Sequence, residues 1–101
     1  MYYLYILYNS GANKYYVGYS TNPWLRLEQH NTNSGEKYTG KYSSWILVAV
    51  FSVSENRIVA LAIEKFIKKQ KSRVLIEKLV DSSFEPSGKL AQLVRVPHMR
   101  D

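Results

Sequence analysis

Five side chains in this sequence have the chemistry to handle a phosphodiester: the phenols of Tyr5 and Tyr16, the guanidinium of Arg26, the imidazole of His30 and the carboxylate of Glu64. A guanidinium offers planar paired donors to phosphate, and an imidazole exchanges a proton near neutral pH. A phenol titrates near 10, so a neighbouring cation is needed before it can act as a base. A carboxylate can pair with a lysine or arginine, or anchor a divalent ion together with water and substrate phosphate. Their order along the chain allows the first four to gather around one point.

The elements that must position them are legible. Residues 2–8 and 14–20 alternate aromatic and aliphatic side chains and predict two strands. The turn cluster Asn9-Ser10-Gly11-Ala12-Asn13 between them predicts an antiparallel hairpin. Centring that turn near Ser10 and Gly11 sets Tyr5 directly opposite Tyr16, on one face of the sheet. Two readings of the pair stand side by side: a stabilising cross-strand contact, or the floor of a site. Gly18 shares that face, where it marks either a close approach or a bulge.

Asn22 caps a helix that has Pro23 at its first position and runs to about Asn31. Arg26 and His30 are spaced i, i+4 and share a face of it. That face is either part of a site or a solvated polar stripe. Residues 45–53 form an apolar run expected as a central strand. A second helix is expected from Ser54 or Glu55 to about Lys69, and a third over 72–80 after a bend near Lys71.

Within the second helix, Ile58-Val59-Ala60-Leu61-Ala62-Ile63 is apolar all round and predicts burial. Glu64 follows at the expected rim of the core, where an uncompensated carboxylate is costly. A divalent cation or an ion pair with Arg26 or a lysine would satisfy it. Residues 32–43 read as a loop carrying Lys37 and Lys41 among aromatics. Together with the basic run Lys65, Lys68 and Lys69, they are candidates for tracking a nucleic-acid backbone, against the alternative of a solvated face.

Composition narrows the class. The chain has 101 residues, 14 Lys and Arg against 8 Asp and Glu, and a net charge of +6. A single basic domain of this kind favours polyanionic partners. No cysteine is present, which excludes disulfides and thiolate metal sites. No apolar run approaches the roughly 20 residues of a membrane span. The amino terminus does not read as a signal peptide, so a soluble cytoplasmic protein is expected.

The ordered set Tyr3-Leu4-Tyr5, ten intervening residues, Tyr16-Val17-Gly18, Arg26, His30-Asn31 and Glu64 resembles the GIY-YIG nuclease superfamily. Residues 16–31 look most like its small single-domain bacterial members and the Slx1-type structure-specific nucleases. The resemblance covers about residues 2–80. It implies an α/β (α+β) sandwich whose central three-stranded antiparallel sheet is flanked by about three helices. The domain is then expected over 1–80, with 81–101 an irregular tail that turns helical near Leu90–Leu93.

The resemblance further implies hydrolysis of DNA with one divalent metal, Mg²⁺ or Mn²⁺. Tyr5 and Tyr16 match the signature tyrosines, Arg26 the helix arginine, His30 the histidine and Glu64 the metal-binding glutamate. Structured or branched DNA is the expected substrate, with a partner protein or self-association supplying targeting. The first signature lacks its glycine, and Tyr19 stands where the excision-repair branch carries lysine. The alternative is a non-catalytic nucleic-acid binder on the same scaffold.

Overall fold

The computed structural model describes residues 1–32 and 44–98. The hairpin forms from β1 (Tyr2–Asn9) and β2 (Lys14–Ser20). Helix α1 (Pro23–Thr32) follows, then β3 (Ile46–Ser54), α2 (Arg57–Gln70) and α3 (Arg73–Val80). A single 3₁₀ turn at Gly88–Leu90 leads into β4 (Val94–Val96).

The sheet has four antiparallel strands, not the three expected, in the order β2-β1-β3-β4. The extra strand comes from the segment expected to be irregular. Val94-Arg95-Val96 pairs with Val50-Phe51-Ser52. Three residues are too few to show an alternating pattern, and Pro97 ends the strand at once. The same segment returns Leu90 and Leu93 to the core, at 5% and 4% exposure. The Trp24 indole Nε1 donates to the His98 carbonyl at 2.9 Å, tying this segment to α1.

β1 and β3 lie in the middle of the sheet, covered on both faces. One face joins Leu4, Ile6 and Phe51 to Ile63 and Ile67 of α2 and Leu79 of α3. The other joins Leu7, Leu47 and Val50 to Trp24 and Leu27 of α1. This two-sided cover explains why residues 4–7 are all nearly inaccessible, where a one-sided strand would alternate. Among the described residues β2 keeps a free edge, with α1 flanking it on one face and α2 on the other.

Three local devices fix the helices. Asn22 Oδ1 accepts from the Leu25 amide at 3.1 Å to cap α1. Asn56, two residues beyond the expected start, caps α2 through the Ile58 amide at 2.8 Å. Lys71 adopts a left-handed φ of 49° and Ser72 then caps α3 through the Leu75 amide, which makes the expected bend. The apolar run in α2 is not buried all round. Ala60 and Ile63 are inside, but Ile58 is 72% exposed, because the helix lies on the sheet and no second layer among the described residues covers its outer face.

Candidate active site at the free edge of β2

The hairpin register decides the floor of the site. Tyr5 faces Gly18, and Tyr16 faces Leu7, so Tyr5 and Tyr16 are diagonal neighbours and not the directly opposed pair expected. The turn is displaced by one residue. Asn9 Oδ1 accepts from the Ala12 amide at 2.9 Å, and Asn13 takes a left-handed φ of 53°, leaving four residues between the paired Asn9 and Lys14. The two phenols still share a face because moving the turn centre by one residue moves the pairing by two, from Tyr16 to Gly18 opposite Tyr5.

Gly18 makes the diagonal arrangement possible. A Cβ there would lie 2.7 Å from the Tyr5 hydroxyl oxygen and 3.0 Å from the Tyr16 ring. The Tyr5 phenol therefore lies across the backbone of its own strand partner. This is a close approach and not a bulge, and it brings the ring centroids of Tyr5 and Tyr16 to 6.2 Å.

Helix α1 places His30 over this pair. Its Nε2 lies 3.1 Å from the Tyr5 hydroxyl, and its ring centroid is 4.7 Å from that of Tyr16. Asn31 holds the helix end in place. Its side-chain amide donates to the Trp45 carbonyl at 3.0 Å and accepts from the Trp45 amide at 2.7 Å. This two-way clamp gives Asn31 a structural role and secures His30 against β3.

Glu64 arrives from α2 on the other side of the β2 edge. Its side chain is 13% exposed and sits 3.7 Å from Lys68 Nζ, a long i, i+4 ion pair. Lys68 Nζ also lies 5.2 Å from the centre of the Tyr16 ring. The lysine alternative for the partner of Glu64 is thus realised, while Arg26 hydrogen-bonds Gln29 at 3.2 Å.

Tyr5, Tyr16, Arg26, His30 and Glu64 all line one polar cleft of about 470 Å³. Arg57 and Tyr19 complete its far wall, with the Arg57 guanidinium 5.9 Å from the Tyr19 ring centre. Arg57 escaped the sequence reading. It stands seven residues before Glu64 on the same helix face, and that spacing is the signal that could have found it. Lys65 and Lys69 are exposed on α2 and are not among the residues lining the cleft. Lys37 and Lys41 lie outside the described residues.

The electrostatics follow from this crowding. Burial pushes the Tyr5 phenol far above the usual range, and the negative charge that Tyr16 and Glu64 can carry adds to it against the pull of Arg26. Tyr16 is raised by burial and then by the Glu64 carboxylate, with Arg26 and the hydrogen bond from Tyr5 acting in the opposite direction. Burial, and then the Arg26 cation, lower the His30 pKa, so the ring is neutral at pH 7 and can accept a proton.

Among the described residues no three His, Cys, Asp or Glu side chains cluster as a complete metal cage. Glu64 nonetheless suits a hard divalent ion. It is a single half-buried carboxylate with a distant partner, facing a polar cleft open to substrate oxygens.

Fold and cleft together describe a small domain built to bring phenols, cations and one carboxylate to a sheet edge. Residues 1–78 match the family GIY-YIG, described as the GIY-YIG catalytic domain, and the chain belongs to that family. It is 43% identical over 54 residues to a protein of Drosophila mojavensis named structure-specific endonuclease subunit SLX1 homolog. That match spans 50% of this chain and 18% of the relative. It is also 32% identical over 71 residues to a UPF0213 protein of Streptococcus pyogenes serotype M5 (strain Manfredo), covering 70% of this chain and 75% of the relative. No helix among the described residues is long and apolar enough to cross a membrane.

Proposed function

We propose that this chain is a metal-dependent endonuclease that hydrolyses phosphodiester bonds in structured DNA in the cytoplasm, during repair or recombination. The observation that carries the proposal is the convergence of five side chains from β1, β2, α1 and α2 on one open cleft. Family membership supports the chemistry. The relative named as a structure-specific endonuclease subunit supports branched DNA as the substrate class, with a partner protein contributing to targeting.

Tyr16 is the better candidate for the group that orients the attacking water, or deprotonates it once its own proton has passed to solvent. Tyr5 is the more strongly held in its neutral form, and it serves Tyr16 as a hydrogen-bond donor. With the Tyr5 proton directed at Tyr16, the neutral His30 fixes the Tyr5 oxygen from 3.1 Å through Nε2–H, and its other ring nitrogen is the one open to a proton. Arg26, and Arg57 from the opposite wall, neutralise charge that builds on the phosphoryl oxygens. Glu64 would hold Mg²⁺ or Mn²⁺, which when bound polarises the phosphate and stabilises the departing oxygen. Lys68, released from Glu64, is positioned to meet the substrate backbone. Lys65 and Lys69 extend that cationic face.

The test is incubation with labelled flap, junction, nicked and linear DNAs, in Mg²⁺ or Mn²⁺ against chelator. The proposal expects cation-dependent cuts in the branched substrates. Salt-sensitive DNA binding without cutting under any of these cations would instead select a non-catalytic binder.

A further inference from the structure

A second cavity of about 500 Å³ lies along the same edge strand β2, toward the hairpin turn, against its residues 14–17. Its lining differs in kind from that of the cleft. Its floor is apolar, with the partly exposed Ile76 over the nearly buried Val17 and Ile67, while Lys68, Lys71 and Arg73 stand at its rim. It is built where α2 turns into α3. The left-handed Lys71 opens the angle between the helices, and β2 closes the third side. Tyr16 lines both the cavity and the cleft, and the ion pair between Glu64 of the cleft and Lys68 of the cavity links the two.

The rim is preformed, and two of its three cations also have exchangeable i, i+4 carboxylate partners: Lys68 with Glu64 at 3.7 Å and Arg73 with Glu77 at 3.3 Å. Arg73 donates to the Asn13 carbonyl at 2.9 Å and to Asn13 Oδ1 at 2.6 Å, which fixes it to the hairpin turn. Its guanidinium covers the Tyr15 ring at 5.0 Å, and Tyr15 is backed by Tyr8 with centroids 4.8 Å apart. An apolar cavity with a cationic rim has the charge and shape complement of a nucleotide: a flat base within, phosphates at the mouth. Nucleic acid running along the β2 edge with a phosphate in the cleft carries its neighbouring nucleotide past this cavity.

We propose that the cavity between β2 and the α2–α3 elbow binds an unpaired nucleobase next to the phosphate held in the cleft. A paired base is kept from entering by its partner, so the cavity would favour DNA with an unpaired nucleotide beside the cutting point. This rests on the nuclease reading for what occupies the cleft, but the cavity can be tested without any cleavage.

The experiment uses the full chain in chelator with two probes of equal charge: an eight-residue oligothymidylate and an eight-residue abasic oligomer with the same phosphates. Fluorescence anisotropy gives the affinities, and methyl NMR gives the location. The oligothymidylate is expected to bind about tenfold tighter, and it alone should shift the Val17, Ile67 and Ile76 methyls. Lys71→Gly, which suits the left-handed position, should weaken binding of both probes about threefold at low salt with no loss of thermal stability.

Equal affinity for the two probes, methyl shifts common to both, or no binding of either would overturn the proposal. The two readings separate cleanly. Metal-dependent cutting without a base preference removes only the nucleobase cavity, while base-specific methyl shifts without any cutting remove only the nuclease.

Discussion

One hairpin carries two tyrosine pairs, and they have opposite fates. Tyr8 and Tyr15 are direct cross-strand partners, with ring centroids 4.8 Å apart. The Tyr8 hydroxyl donates to Asn13 Oδ1 at 2.9 Å, and Arg73 covers the Tyr15 ring. These contacts hold the turn and the α3 start together. Tyr5 and Tyr16, on the other face, are diagonal and farther apart, over a glycine. Their hydroxyls face a cleft with His30, Arg26 and Glu64, and their protons are held more tightly than an ordinary phenol's. Residue type does not separate the pairs. The register, the glycine and the elements above them do.

That contrast can be broken most sharply by removing single hydroxyls. Tyr16→Phe should lower the cleavage rate by about a hundredfold or more, while Tyr15→Phe should change it less than about twofold. Equal losses from the two variants would end the distinction. Arg26→Ala should also slow turnover by about a hundredfold while weakening DNA binding much less, as single-turnover rates and anisotropy together would show. Gly18→Ala probes the close approach itself. The added methyl must displace the Tyr5 phenol, so about 1–3 kcal/mol of stability should be lost in urea unfolding, and most of the activity with it.

The structural pair predicts the converse. Asn13→Ala removes the acceptor shared by Tyr8 and Arg73 at a left-handed position. It should cost about 1–2 kcal/mol and leave the single-turnover rate of the folded protein at saturating DNA unchanged. The smallest effect is on pH dependence. His30 has a folded pKa below its ordinary value of about 6.5. Its neutral form is the one the fold favours. That contribution to stability is therefore complete above pH 6.5 and is lost as pH falls through the folded pKa. Thermal unfolding between pH 7 and 4.5 should show a decline that His30→Gln reduces; identical curves for both proteins would contradict the burial of a neutral ring.

Much of this was legible in the chain because local signals agreed with the global arrangement. Asn22-Pro23 fixed the start of α1, and Lys71 marked the elbow between α2 and α3. What escaped depended on contacts distant in sequence. The hairpin register turned on Asn9 and Asn13 side chains choosing a longer turn, which composition alone does not reveal. Val94-Arg95-Val96 became a strand only because β3 offered an unpaired edge. The run Ile58–Ile63 suggested complete burial, yet nothing packs on its outer face. Arg57 was passed over because its relation to Glu64 spans two helical turns.

The central claim is that the cleft is a hydrolytic centre whose cation sits on Glu64. Its most direct test is the single-turnover rate of Glu64→Gln against the unaltered chain, on a branched DNA substrate in Mg²⁺, with circular dichroism confirming the fold. The expected result is a loss of about a thousandfold or more with DNA binding retained. A Glu64→Gln protein that cuts at the original rate, with the same cation requirement, would contradict it.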